Sequence, residues 1–215
     1  MAQLFPKWTN RLPILVLAGL VFLLVFIVFI FWYYATPKYL EVGYRPEQPV
    51  PYSHKLHAGD MGMDCRYCHT NVEQSAHANV PSTQTCMNCH TNVATESEKL
   101  LLVRESWASG KPIEWVRVHS LPDYAYFDHS AHITAGVGCE SCHGNVAAME
   151  VVEQKKPLSM GWCLDCHREP EMHLRPREDI TKMNWTPPPD QMDFAKKIIE
   201  EKNISPPTDC SGCHR

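Results

Sequence analysis

The apolar residues of this chain are concentrated in one segment near the N-terminus. Leu12 to Tyr34 carries no charged side chain, and at about 1.5 Å per residue a helix of this length crosses a hydrocarbon core of about 30 Å. A cleavable signal peptide is the alternative, but its apolar region spans about 7 to 15 residues and ends at small residues. This segment ends instead in the aromatic run Phe31 to Tyr34. The pattern therefore predicts a retained transmembrane helix.

The charges that flank this segment bear on its orientation. Lys7 and Arg11 precede it, and the aromatic residues at its far end suit the headgroup layer, which favours an N-terminus in the cytoplasm. Lys38 follows the segment, so the charge difference is small and the orientation rests mainly on the cysteines described below. We expect a single-pass protein of the inner (cytoplasmic) membrane. Residues 1–35 would form the cytoplasmic N-terminus and anchor, and residues 36–215 a periplasmic domain.

Beyond the anchor, two stretches have helical patterns. The capping-box sequence Thr95 to Glu98 precedes an apolar run, and Gly110 is a plausible helix end, which predicts a helix between them. A second helix is predicted from Asp190 to about Lys202. Its apolar stripe is expected to pack on the protein's own core rather than on a partner. The stripe consists of Phe194, Ile198 and Ile199.

The remainder of the chain is short of long periodic patterns and rich in proline, including Pro187 to Pro189 and Pro206 to Pro207. We therefore predict a mainly α fold with much irregular structure and few strands. The formal net charge is −4, and no basic run marks a nucleic-acid surface, so nucleic acid is not an expected partner.

The ten cysteines form a far more specific pattern. In an exported chain they would ordinarily suggest disulfides, but all of them fall in five CxxC pairs and each pair is followed directly by histidine. Neither disulfides nor thioredoxin-like pairs require that histidine, whereas covalent haem attachment does. The motifs are Cys65/Cys68/His69, Cys86/Cys89/His90, Cys139/Cys142/His143, Cys163/Cys166/His167 and Cys210/Cys213/His214.

The spacing fits the chemistry of a c-type haem. On one helical turn, positions i, i+3 and i+4 share a face, so two thiols can reach the vinyl groups while the histidine reaches the iron. Zinc ribbons combine two CxxC pairs in one site, but five pairs do not divide into such sites and the histidines would be unexplained. We therefore predict five haems c, with proximal iron ligands His69, His90, His143, His167 and His214.

An internal repeat organises the motifs. Tyr52-Ser-His54-Lys-Leu-His57 precedes the first motif, and Phe127-Asp-His129-Ser-Ala-His132 precedes the third at nearly the same distance. We interpret this as two two-haem modules at about 50–94 and 125–175, followed by a fifth haem at about 190–215. With so few residues for each macrocycle, the haems are expected to form much of the core.

This doublet resembles the arrangement in class III multihaem cytochromes. The resemblance implies that His54 is the distal ligand of the haem on His69, that His129 is the distal ligand of the haem on His143, and that His57 and His132 each serve another haem. The fifth distal ligand is left open among His119, His77, Met149 and Met160, with a slight preference for histidine; a methionine would raise the potential of that haem. His173 is expected to be solvated.

A wider resemblance covers nearly the whole chain. The single span, the two doublet modules, the segments Val118 to Tyr124 and Met160 to Cys163, and the fifth motif look like the pentahaem subunit of bacterial alternative complex III. In that family the complex oxidises quinol, and electrons pass through iron-sulfur centres to this subunit and on to a monohaem cytochrome, another periplasmic carrier or an oxidase. The resemblance implies an electron-transfer subunit rather than the catalytic one. Its implied partners are an iron-sulfur protein and polytopic quinol-binding membrane subunits.

Two other functions compete with this interpretation. A tetrahaem, single-helix quinol dehydrogenase that feeds periplasmic reductases would have four motifs rather than five, and its first haem is expected nearer the anchor than Cys65. A catalytic multihaem reductase needs an iron with an open site and usually an unusual proximal ligand, whereas every motif here ends in histidine and spare histidines are plentiful.

Overall fold

The computed structural model describes residues 4–214, which belong to two units, Met1–Glu41 and Val42–Arg215. In the first unit a 3-10 turn, Lys7–Arg11, leads into α1, Leu12–Tyr34, and the short α2, Pro37–Leu40, follows. Helix α1 has the bounds predicted from the sequence, and none of its side chains is buried. A helix that is apolar all round and unburied is suited to a membrane, so α1 is a candidate span by length and composition.

The second unit consists of short helices joined by irregular segments. Between residues 4 and 214 the structure has no strand; the β-type pairing is an isolated bridge between Val137 and Leu174. This confirms the predicted fold class. The α-helices are α3 (Cys65–Cys68), α4 (Thr83–His90), α5 (Leu101–Ser109), α6 (His129–Ala135), α7 (Cys139–His143), α8 (Met160–Arg168), α9 (Gln191–Lys202) and α10 (Cys210–Cys213). The second unit also contains a π turn at Lys55–Asp60 and 3-10 turns at Glu98–Leu100, Val146–Ala148, Pro170–His173 and Arg177–Asp179.

The apolar core of this second unit is small. Its two buried clusters are Val50 with Met87 and Val103, and Val72 with Ile133 and Ile180. So few buried apolar residues are a small core for a folded unit of this length. The arrangement fits a fold whose interior is completed by bound macrocycles.

The two predicted helices are present, and one of them begins differently from the prediction. Helix α5 ends at Gly110, whose φ of +70° gives a left-handed C-cap. The capping box does not form, because a 3-10 turn comes first and no side chain caps the helix. Instead, the Arg104 guanidinium donates hydrogen bonds of 2.8 and 2.9 Å to the carbonyls of Thr95 and Ser97.

Helix α9 follows Asp190 as predicted, although the Asp190 side chain makes no capping hydrogen bond. The buried Gln191 amide donates to the Leu174 carbonyl at 2.8 Å, which fixes the start of the helix on the core. Ala195 is fully buried, and the stripe of Phe194, Ile198 and Ile199 is half-buried. This is the packing expected for a stripe that faces its own protein.

Candidate haem sites

Each of the five CxxCH motifs lies on a short helix, α3, α4, α7, α8 or α10. In three of them a side chain before the motif caps the first turn: Asp64 accepts from the Arg66 N–H, Ser159 from the Trp162 N–H and Asp209 from the Gly212 N–H. The caps fix the first turn of these helices, and in α3 and α10 they place the first cysteine of the motif at the helix start. The second cysteine, three residues later, then lies on the same face. None of the ten cysteines is in a disulfide, so both sulfurs of every motif can form thioether bonds.

The ring orientation of the proximal histidines fits iron binding. Four of them donate Nδ1–H to a backbone carbonyl. A carbonyl can only accept, so Nδ1 carries the proton and, in the neutral ring, Nε2 keeps the lone pair that a metal needs. The bonds are His69 to Asn79 at 2.7 Å, His90 to Val93 at 2.9 Å, His167 to Pro207 at 2.7 Å and His214 to Tyr124 at 2.9 Å.

Three of the four doublet histidines are oriented in the same way. His57 donates Nδ1–H to the Ser53 carbonyl at 2.9 Å, His129 to Ala76 at 2.7 Å and His132 to Asp128 at 2.7 Å. The fourth, His54, has a buried Nδ1 without a hydrogen-bond partner in the described chain. Burial, and then the neighbouring His69, lower the pKa of His54 to about 4, which keeps its ring neutral.

Three of the four doublet histidines have their rings at nearly equal distances from those of proximal histidines. Two imidazoles that bind one metal from opposite sides, with nitrogens about 2 Å from it, have ring centroids about 6 Å apart. The centroid distances are 6.3 Å for His57 and His90, 6.4 Å for His129 and His143, and 6.0 Å for His132 and His167. The structure thus brings together the residues that were predicted to be ligands and shows which motif the second histidine of each doublet faces.

His143 lies at the centre of a histidine cluster. Burial strongly lowers its pKa, and His119 and His129 add to the effect. Its Nδ1 is 3.4 Å from Nε2 of His119, and the two rings are nearly perpendicular, at 83°. His143 therefore differs from the other four proximal histidines, because a side chain rather than a backbone carbonyl faces its Nδ1.

The other candidates for the fifth distal ligand are dispersed. His77 and Met160 are exposed, whereas Met149 is buried and its carbonyl accepts from the Lys55 N–H at 2.9 Å. The ring beside His214 is that of Tyr124, with centroids 5.8 Å apart. The fifth distal ligand stays a prediction. His173, expected to be solvated, is half-buried, and burial lowers its pKa.

One supporting group of the third motif was missed by the sequence analysis. Glu140 accepts hydrogen bonds from the backbone N–H groups of Asn184 and Trp185, at 3.0 and 3.2 Å, and pairs with the buried Arg175 at 3.5 Å. The Arg175 guanidinium also lies 4.7 Å from the Trp185 ring centroid. Because these residues are far apart in sequence and form no local motif, nothing in the pattern identified them.

Taken together, the side chains fit covalently bound haem: paired thiols on one helical face, followed by imidazoles whose Nε2 is free. When bound, haem c supplies reversible one-electron chemistry at its iron, and the protein sets the potential through axial ligands, hydrogen bonds and burial. The cysteines of the chain would attach the haems, the histidines would ligate the irons, and the hydrogen-bonded carbonyls orient the histidine rings.

Comparisons with known proteins agree with this geometry. Residues 125–215 match the family described as cytochrome c7 and related cytochrome c. The menaquinone reductase multiheme cytochrome c subunit of Nitratidesulfovibrio vulgaris (strain Hildenborough) is 37% identical over 171 residues, which cover 69% of this chain and 79% of that protein. The chain therefore belongs to the multihaem cytochrome c family and is an electron-transfer protein.

Proposed function

We propose that this chain is the pentahaem electron-transfer subunit of a membrane-bound quinone oxidoreductase. The observation that carries the proposal is the set of facing imidazole pairs, with centroids 6.0 to 6.4 Å apart. Such pairs close both axial positions of an iron and leave no site for a substrate. A protein built in this way carries electrons and does not itself transform a substrate at those irons.

The ligand assignment follows from the pairs. His129 is the distal ligand of the haem on His143, as the doublet resemblance implied. His57 ligates the haem on His90, and His132 ligates the haem on His167. His54 is proposed as the distal ligand of the haem on His69; burial, and then the neighbouring His69, lower the pKa of His54 and keep its ring neutral. The fifth motif supplies His214, and its distal ligand comes from His119, His77, Met149 or Met160.

The direction of electron flow is a separate part of the proposal, with two candidates. As in alternative complex III, which the chain resembles, electrons would come from quinol through an iron-sulfur partner and leave to a monohaem cytochrome, another periplasmic carrier or an oxidase. The name of the relative as a menaquinone reductase subunit favours a second candidate, in which electrons pass towards the quinone. Both place the chain between polytopic quinone-binding subunits and another redox protein. In both, α1 anchors the chain in the inner membrane with residues 36–215 in the periplasm.

A gentle detergent purification from native membranes tests the proposal. Mass spectrometry should find a large iron-sulfur protein and polytopic membrane subunits with this chain, and haem quantification should give five haems per polypeptide. Addition of a quinol analogue to the oxidised complex should then reduce the haems if the first direction is right. An isolated chain that oxidises quinol unaided would instead identify a single-helix quinol dehydrogenase.

A further inference from the structure

We propose that the five haem sites form one unbranched series in the spatial order second, first, third, fourth, fifth. The inference rests on the proposed function, since it concerns how the same sites neighbour one another. It differs from the order along the chain, because the second motif rather than the first stands at one end.

The second site adjoins the first. The Asn88 side-chain amide, inside the second motif, donates a hydrogen bond of 3.2 Å to the hydroxyl of Tyr67, inside the first motif. His57, which precedes the first motif, faces the proximal histidine of the second. The doublet thus ties the two sites together.

The first site also adjoins the third, and there the two modules meet. Val72, from the first module, packs with Ile133 and Ile180 in one buried cluster, and Cys139 of the third motif packs against that cluster. The Asp64 carboxylate accepts a hydrogen bond of 3.2 Å from the Thr181 hydroxyl.

A cross-module hydrogen bond supports the same junction. His129, the predicted distal ligand of the third site, donates Nδ1–H to the Ala76 carbonyl, which follows the first motif in the chain. The Ser130 N–H donates to the Ser75 carbonyl at 3.3 Å beside it. Ser75 and Ala76 of the first module therefore orient His129, a predicted ligand in the second module.

The third site is followed by the fourth and the fourth by the fifth. His132, on the same helix as His129, has its ring centroid 6.0 Å from that of His167. His167 in turn donates Nδ1–H to the Pro207 carbonyl, just before the fifth motif.

Exposure of the motifs agrees with this order. Of the ten cysteines, Cys89 of the second motif and Cys210 of the fifth are exposed, and the others are partly buried. His143 of the third motif, whose ring neighbours those of His119 and His129, lies at the middle of the series. The second and fifth sites are therefore the two ends, and redox partners of the chain reach it there.

The test is to change one site at a time in the full-length holoprotein and to count how many other haems change their midpoint potential. Neighbouring haems interact electrostatically through a low-dielectric interior, so a removed haem shifts the potentials of its neighbours. Removal of the second haem by Cys86→Ala with Cys89→Ala should shift one other haem. Removal of the first by Cys65→Ala with Cys68→Ala should shift two.

The order along the chain makes the opposite prediction, with two shifts for the second site and one for the first, and that result would overturn the inference. If those variants fail to mature, a matched pair of milder variants keeps the test: His57→Met at the end site and His132→Met at the interior fourth site. Methionine ligation raises the potential of the changed haem, and pulsed EPR relaxation then counts its magnetic neighbours, one and two respectively. A wild-type haem count below five would refute the proposed function instead, independently of the order.

Discussion

The imidazole rings of His129 and His143 are parallel to within 7°, with their centroids 6.4 Å apart. The rings of His57 and His90 have a similar spacing, 6.3 Å, but their planes differ by 67°. The angle between two axial imidazoles determines how they split the iron d orbitals, so these two sites should be distinguishable by spectroscopy although their ligand types are the same.

EPR of the fully oxidised protein tests this difference. We expect a rhombic low-spin signal from the haem held by His129 and His143, and a highly anisotropic low-spin signal with a large maximum g value from the haem held by His57 and His90. His57→Ala should remove the anisotropic signal and preserve the rhombic one. Loss of the rhombic signal in that variant would contradict the pairing of His57 with His90.

The distal assignments predict a change of spin state. His54→Ala and His129→Ala should each leave one iron five-coordinate, because each removes one imidazole without a substitute. Absorption and resonance Raman spectra should show one high-spin haem in each variant and five low-spin haems in the His173→Ala control, which changes a half-buried histidine outside the proposed ligand set. Spectra that remain fully low-spin would refute the assignment of the changed residue.

The position of His119 predicts a shift of potential. Its Nε2 faces the Nδ1 of His143 at 3.4 Å, and an acceptor at that position increases the basicity of the ligand and lowers the potential of the iron. We expect His119→Ala to raise the midpoint potential of one haem while all haems stay low-spin, and His119→Gln, which keeps an acceptor, to restore part of the difference.

A high-spin haem in His119→Ala would contradict the expectation that all haems stay low-spin, and it would identify His119 as the fifth distal ligand. The low-spin outcome would leave His77, Met149 and Met160 for that role. The same spectra on His77→Ala, Met149→Ala and Met160→Ala then identify the ligand of the haem on His214.

Packing behind the third motif predicts an effect on stability. A Cβ at Gly138 would lie 2.4 Å from the Arg175 guanidinium, which is only 5% exposed and cannot move away freely. Gly138→Ala should therefore destabilise the holoprotein by about 1–3 kcal/mol. In the matched control, Gly161→Ala in α8, the new methyl group meets nothing within 4 Å. Denaturant unfolding followed by haem absorbance should show a lower midpoint for the first variant and an equal or higher one for the second.

Features that depend on neighbours in sequence could be predicted from the sequence. The bounds of α1 follow from an uncharged run long enough to cross a bilayer, and the five attachment motifs follow from the i, i+3, i+4 geometry of one helical turn. The doublet that begins at His54 and its copy at His129 could be recognised because a repeat is visible in the sequence. The predicted cap of α5 was wrong, because a 3-10 turn precedes the helix and no side chain caps it, while Arg104 donates hydrogen bonds to carbonyls of the preceding loop.

The tertiary structure alone decided which sites are neighbours. The contacts of Asn88 with Tyr67 and of His167 with Pro207 join residues from different motif segments, and no sequence spacing encodes them. The same is true of His119 beside His143 and of Arg175 behind Glu140. Local geometry determines that a haem can be attached and ligated at each motif, whereas long-range packing determines the order in which those sites meet.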